Sequence, residues 1–148
     1  MWKQVFSSGA DASGYAVSGG TIYLLTSNGA PRYKIASTSL TAPDFAHAKT
    51  VVPQSSAVIT GIAAGRDALY VSSMLNGYSV LARLPFGGGG VGPAQDLKLP
   101  YAGAISGGLG SGVYAVGDQD GAVFPLDSWT HPQLWFRTDP VGSLNTDD

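Results

Sequence analysis

The chain has 148 residues, the length of one ordinary domain, and 44% of them are hydrophobic, enough for a packed core. Only 12% are charged, about half the usual share of roughly 25%, and 21 residues are glycine. This composition is typical of an all-β protein with many tight turns. The net charge of −2 and the lack of a basic run argue against a nucleic-acid partner. The absence of cysteine excludes disulfides and thiolate metal sites.

The ends and the hydropathy pattern give no sign of a membrane. The first residues lack an apolar run of signal-peptide length, and no stretch approaches the roughly 20 apolar residues of a membrane span. We therefore expect a soluble protein that contacts no membrane. The compartment is not indicated; if the source is bacterial, either the cytoplasm or the periplasm fits.

A strand–turn–strand unit recurs three times along the chain, with the period-2 alternation of β-structure. Its tyrosines Tyr23, Tyr70 and Tyr114 are 47 and 44 residues apart. A further alternating strand follows each unit, and a short strand precedes each. The units span residues 14–25, 59–72 and 103–116; the following strands span 32–36, 78–84 and 122–126; the short strands span 2–6, 50–53 and 94–99, with another at 133–136.

Four strands in a repeat of about 45 residues predict β-propeller blades. The fold class is therefore all-β: a partial β-propeller of about three four-stranded antiparallel blades plus the first strand of a fourth. Small apolar residues, as in 61–64 and 103–106, suit the crowded inner strands. The whole chain, 1–148, would form one propeller segment, with blade-like repeats at about 2–38, 49–85 and 94–128 and a last strand near 133–137.

Three blades leave two open ends. Propellers typically close with four to eight blades, and closure protects their sheet edges and apolar faces. We therefore expect the chain to be either a fragment of a longer protein or one share of an oligomeric ring.

The residues between Thr21 and Ile35 carry a resemblance to a known family. A strand ending in Thr26-Ser27-Asn28 is followed by a turn with Ala30-Pro31 and a strand bearing Arg32 and Lys34. This arrangement resembles the β-propeller of the prolyl oligopeptidase family of serine peptidases, and residues 50–53, 78–82 and 135–140 are also similar to it. The resemblance extends over essentially the whole chain. It implies the later blades of a seven-bladed propeller that caps an α/β-hydrolase domain and admits short peptides, with the catalytic triad beyond Asp148.

No motif of a hydrolase active site is present in the chain itself. A nucleophile elbow needs glycine two residues before and two residues after the serine, and no serine here meets that condition. The only histidines, His47 and His131, lie in turn-like contexts and are interpreted as surface loop residues. We therefore predict no catalytic residue in this chain.

Two glycine- and aspartate-rich segments could be mistaken for ligand sites. Residues 87–92 satisfy a dinucleotide-binding glycine pattern, but a proline and a strand follow where that site needs a helix; they are interpreted as a flexible linker between blades. Residues 118–121 resemble part of a calcium loop but lack its further oxygen ligands, and are interpreted as a hairpin turn. Neither a cofactor nor a metal is expected.

Arg66 is the one candidate contact residue. It lies in the inner hairpin turn of the second repeat, where it could meet a substrate carboxylate or an acidic residue of a partner domain. The alternative is an ordinary solvated turn residue.

The leading hypothesis is a non-catalytic propeller portion of a prolyl oligopeptidase-like serine peptidase, which gates access to an α/β-hydrolase domain absent from this chain. Its partners would be that domain and, through the parent protein, a peptide substrate. The alternative is a binding or scaffold module that completes a propeller with copies of itself. A sugar-cleaving propeller is disfavoured because acidic residues are not clustered.

Overall fold

The computed structural model describes residues 4–106 and 112–146. Within these two ranges the chain forms thirteen β-strands and a single 3-10 turn, Ser8–Ala10. The same ranges contain no helix that is long and apolar enough to cross a membrane. The strands form three antiparallel sheets, each built from one contiguous stretch of chain.

The first sheet has four strands in the order in which they occur in the chain. Consecutive strands pair antiparallel, and the Gly19-Gly20 loop joins the first two in register from Ser18↔Thr21. The strands are β1 (Ala12–Ser18), β2 (Thr21–Thr26), β3 (Lys34–Ser39) and β4 (Lys49–Val52).

The second sheet lies in the middle of the molecule and is the most regular. Its two central strands pair over eight consecutive positions, from Ala68↔Pro85 to Leu75↔Tyr78. A two-residue strand folds back on the end of the long third strand, and the outer strand pairs with the middle of that same strand. The strands are β5 (Val58–Ala64), β6 (Ala68–Leu75), β7 (Tyr78–Gly87), β8 (Gly90–Val91) and β9 (Gln95–Leu97).

The third sheet has the same sequential order but a very short inner strand. That strand contributes two pairs, Ala104↔Asp127 and Ile105↔Leu126. The strands are β10 (Ala104–Ile105), β11 (Val123–Ser128), β12 (His131–Thr138) and β13 (Leu144–Thr146).

Two hydrophobic clusters fill the spaces between neighbouring sheets. One joins the first sheet, through Tyr23 and Ile35, to Leu69 and other residues of the second. The other joins the second sheet, through Tyr70, to Phe124 and other residues of the third. Because successive side chains of a strand point to opposite faces, β6 sends Leu69 one way and Tyr70 the other. The middle sheet is therefore buried on both faces.

The predicted fold class, an all-β partial propeller with three antiparallel units, is confirmed. The first and third units have four strands, and the second has the two-residue β8 in addition to four. The grouping of the short strands differs from the prediction. Lys49–Val52 pairs with β3 and Gln95–Leu97 pairs with β7, so each completes the sheet before it rather than opening the next. The strand predicted near 133–137 is the third strand of the third sheet. Of the strand predicted at 2–6, residues 2 and 3 lie outside the described ranges, and residues 4–6 form no strand.

The third repeat also differs from its predicted hairpin. Ala104 and Ile105 pair with Asp127 and Leu126, and Tyr114 bridges Val123 further along the same strand. Residues 103–106 and 113–116 therefore lie along one edge of β11, instead of pairing with each other. The glycine-rich turn predicted between them falls mostly on 107–111, outside the described residues. The counterpart of Tyr23 and Tyr70 on a second strand is consequently Phe124, whereas Tyr114 belongs to the inner edge.

Candidate functional site

The inner edges of the three sheets meet at a concave, uncharged surface. Residues from β1, β5 and the 113–115 segment line a cavity of about 350 Å³. A neighbouring cavity of about 720 Å³ shares Tyr15, Ile62 and Tyr114 with it. Among the described residues that line these two cavities, none is an acid, a base or a histidine. The surface can therefore accommodate a neutral or apolar group, but its lining offers no charged group for acid–base chemistry.

Arg66 projects from the turn between β5 and β6 and connects the second sheet to the third. Its guanidinium donates from Nε to Asp120 Oδ1 and from Nη2 to Asp120 Oδ2, each at 2.8 Å. Its backbone N–H donates to the Gln119 carbonyl at 2.8 Å. The hydrogen bond and charge of Asp120 raise the pKa of Arg66. The side chain is still 63% exposed, so the geometry is bidentate but open to water.

Replacing Arg66 with alanine is expected to destabilise the protein slightly near neutral pH and not at all in strong acid, since exposed ion pairs contribute little. The pKa of Asp120 lies below its usual 3.8, mainly because its carboxylate accepts a hydrogen bond from Arg66. A carboxyl group whose folded pKa is depressed contributes stability above its unfolded pKa, and that contribution disappears as the pH falls through the folded value. Thermal unfolding of wild type and R66A at about pH 7 and about pH 2 tests this.

The matched control for this experiment is Arg32→Ala. The Arg32 guanidinium lies 3.5 Å from the Ser55 carbonyl oxygen, which does not titrate. Its effect should therefore be the same at both pH values. A deficit of R66A that persisted in acid would show that Asp120 is not the group through which Arg66 acts.

A buried polar cluster lies next to Arg66 and was not predicted. Asp67 Oδ2 accepts hydrogen bonds from Tyr70 Oη at 2.8 Å and from Arg83 Nη2 at 3.0 Å and Nε at 3.2 Å. Asp67 Oδ1 accepts from the Gly121 backbone N–H at 2.8 Å, and Arg83 Nη1 donates to Gln95 Oε1 at 3.2 Å. The side chains of Asp67 and Arg83 are each only 10% exposed. Both partners of this ion pair, which is almost fully removed from water, belong to the second sheet and its turn. The Gly121 N–H joins the pair to the turn that precedes the third sheet's β11.

Burial and hydrogen bonding together shift the pKa values of Arg83 and Tyr70 in this cluster. Burial lowers the pKa of Arg83, but the hydrogen bonds to Asp67 and Tyr70 more than offset this, so that the pKa is raised. Burial is also the main reason why the pKa of Tyr70 is raised. Both groups therefore keep their neutral-pH protonation states, and Arg83 stays charged next to its carboxylate.

Both histidines are exposed, but only His47 lies in a loop as predicted, because His131 is the first residue of β12. His47 Nδ1 is 2.9 Å from Asp44 Oδ2 in the loop between β3 and β4. His131 stacks on Tyr101, with ring centroids 4.1 Å apart, and its Nδ1 is 3.1 Å from Ser128 Oγ. The Ser128 hydroxyl also accepts the backbone N–H of His131 at 3.1 Å, which makes it part of a local turn. The described residues show no serine, histidine and carboxylate connected as a catalytic triad.

The two glycine- and aspartate-rich segments are turns. Residues 87–90 form a tight hairpin, with Gly88 and Gly89 at positive φ, so the predicted flexible linker is instead an ordered extension of β7. The 118–121 segment forms a turn bracketed by the Tyr114–Val123 bridge, as predicted. Its Asp120 is paired with Arg66. No three acidic or histidine side chains come together as metal ligands within 4–106 and 112–146.

The sequence profile of the prolyl oligopeptidase N-terminal β-propeller domain matches residues 1–144. The chain therefore belongs to this family, as its resemblance predicted. A search of curated protein sequences gives no significant match.

Solved structures of peptidases share the fold. A prolyl endopeptidase studied for inter-domain dynamics aligns over 89% of this chain and 19% of its own, with 24% identity and a TM-score of 0.74. Prolyl oligopeptidase B from Galerina marginata aligns over 99% and 20%, with 17% identity and a TM-score of 0.73. Oligopeptidase B from Leishmania major aligns over 89% and 19%, with 17% identity and a TM-score of 0.66. The chain thus spans about a fifth of the length of these proteins.

Proposed function

We propose that this chain is the non-catalytic propeller portion of a prolyl oligopeptidase-like serine peptidase, which limits access to an α/β-hydrolase domain outside the chain. The family match over residues 1–144 carries the proposal. In such a protein the hydrolase domain would carry out catalysis, and the propeller would enclose the active site and limit which peptides reach it.

The concave surface at the inner edges of the three sheets, called here the central concavity, supports a gating role. Its lining is made of small, aliphatic and aromatic side chains, including Ala63, Ile62 and Tyr15, without charged groups in the described part. Such a surface holds no ionic anchor at which a charged or folded polypeptide would be retained. Substrate selection would then be by size, with short neutral segments passing most readily. The role of Arg66 toward a substrate or partner domain stays a prediction, and its pairing with Asp120 favours a contact between sheets.

The pure 148-residue chain is expected to show no hydrolysis of proline-containing chromogenic peptides. The measurement is steady-state release of the chromophore, with a serine-hydrolase inhibitor as the control for contaminating activity. Inhibitor-sensitive turnover that copurifies with the chain would contradict the proposal. Reading the gene beyond the codon for Asp148 is the complementary test. A hydrolase domain of about 250 residues with a Gly-x-Ser-x-Gly elbow should follow in frame.

The alternative, a scaffold that completes a propeller with copies of itself, rests on apolar side chains at the outer sheets. On β1 Tyr15 is 65% exposed, and on β12 Leu134 and Trp135 are 44% and 43% exposed. A second copy could cover these side chains. Light scattering across a concentration series tests this, because a monomer at all concentrations would remove the alternative.

A further inference from the structure

A cavity with a distinct chemical character lies between the second and third sheets, at the end where the β6–β7 and β11–β12 turns meet. Its volume is about 560 Å³, within the range of small-molecule and side-chain pockets. It is lined by residues 77–78, 102–104 and 127–130. Neither of the two central cavities shares a lining residue with it.

Two aromatic side chains of this cavity are exposed to water. Trp129 is fully exposed in the β11–β12 turn, and Tyr78 is 54% exposed at the start of β7. The Trp129 turn is nonetheless held in place, since Ser128 Oγ accepts the backbone N–H groups of Thr130 and His131 at 3.3 and 3.1 Å. An exposed tryptophan on an ordered turn indicates a binding surface, because exposed aromatic side chains are enriched where proteins bind their partners.

The cavity also contains a carboxylate without a cation. Asp127 Oδ1 accepts a hydrogen bond from the Ser106 hydroxyl at 2.5 Å. Within the described residues Asp127 forms no ion pair, in contrast to Asp67 and Asp120. The segment that forms the base of the cavity is held to β7, because the Ser79 N–H donates to the Gly103 carbonyl and the Ile105 N–H donates to Ser79 Oγ, both at 2.8 Å. The position of the Asp127 carboxylate is therefore set before any ligand arrives.

We propose that this cavity binds the guanidinium side chain of an arginine presented by a peptide. A guanidinium stacks on the faces of tryptophan and tyrosine and pairs with a carboxylate through its planar donors. Trp129, Tyr78 and Asp127 supply these three elements in one cavity. The inference rests on the proposed function and deepens it, since the peptide would be a segment of the substrate held away from the central concavity.

The test uses the 148-residue chain and two capped tripeptides, acetyl-Ala-Arg-Ala-amide and its citrulline analogue, which has nearly the same shape without the charge. The readout is the NMR shift of the Trp129 indole N–H during titration. We expect saturable binding of the arginine peptide with a Kd on the order of 1 mM, and binding of the citrulline peptide about fivefold weaker or less. Equal binding of the two peptides, or no saturable shift, would overturn the proposal.

Variants separate the contributions. Asp127→Asn keeps an acceptor for Ser106 but removes the charge, and should weaken the arginine peptide about fivefold while leaving the citrulline peptide unchanged. For Trp129→Ala the readout moves to the backbone amides of residues 127–130, whose shifts should nearly vanish. Trp135→Ala removes a half-exposed aromatic side chain that lines neither this cavity nor the central concavity, and should leave binding intact. Unchanged binding by W129A would contradict the assignment.

This test is independent of the test of the peptidase proposal, because no catalysis is measured. A negative binding result leaves the peptidase proposal standing, and failure of the peptidase proposal leaves this binding measurable.

Discussion

Replacing Asp67 with alanine is expected to lower the free energy of unfolding by about 3 kcal/mol or more, because it leaves Arg83 charged and nearly buried without a counter-ion. The substitution also removes the acceptor of the Tyr70 hydroxyl and of the Gly121 backbone N–H. Tyr70 belongs to the second sheet and Gly121 to the turn that leads into the third, so the contact between these two sheets should loosen first. Urea unfolding followed by tryptophan fluorescence gives the magnitude.

Two further variants assign the cost to the ion pair. Adding Arg83→Met to D67A removes the stranded charge while keeping much of the side-chain volume, and should recover part of the loss. Tyr70→Phe removes only one hydrogen bond to the same carboxylate and should cost about 1 kcal/mol. If the double variant were as unstable as the sum of the two single variants, the two charges would not be coupled and the explanation would be wrong.

Gly121→Ala is expected to destabilise the chain by about 3 kcal/mol, for two independent reasons. Gly121 has φ +85°, a conformation that side chains disfavour, and a Cβ there would collide with the backbone carbonyl oxygen of Thr138. Backbone atoms cannot move aside as the end of a flexible side chain could. Relief would require the 118–121 turn to shift away from β12, which would also stretch the hydrogen bond to Asp67.

Gly77→Ala is the control for backbone strain alone. Gly77 also has φ +85°, but nothing lies within 4 Å of a Cβ built there. Its substitution should therefore cost only about 1 kcal/mol. The difference between the two variants in urea midpoint and m-value measures the collision with Thr138. Equal losses of stability in G121A and G77A would contradict the explanation, because they would mean that the 118–121 turn shifts away from Thr138 at no cost in free energy.

The strands and turns of this fold were readable from local patterns. Alternation over residues 21–25 and 68–72, broken by the Gly19-Gly20 and Asn76-Gly77 turns, predicts hairpins correctly because each hairpin is short-range. The partner of an edge strand is not encoded in the same way. Lys49–Val52 is short and mostly polar at its start, so its pattern fits either the sheet before it or the one after it.

The candidate site was less predictable, because it depends on contacts between distant residues. The alternating pattern of residues 78–84 marks a strand, but it does not show that Arg83 meets Asp67, or that Asp67 meets Gly121, 54 residues further on. The signal that could have found the cluster is a charged residue placed next to Leu84, among apolar residues of a central strand. Similarly, the glycine-rich composition after Ser106 is typical of a hairpin turn. The third repeat was therefore predicted too early in the chain, and Tyr114 was assigned to the position that Phe124 occupies.

The contiguity of each sheet in the chain also bears on how the protein reaches its native state. The three sheets occupy residues 12–52, 58–97 and 104–146 without exchanging strands. Pairing within a sheet therefore closes only short loops, which carry a small entropy cost and form quickly. We expect the first sheet to assemble while the later ones are still being synthesised, with docking between sheets as the slow step. Lengthening the segment between Ile105 and Val113 should then delay the last sheet without disturbing the two before it.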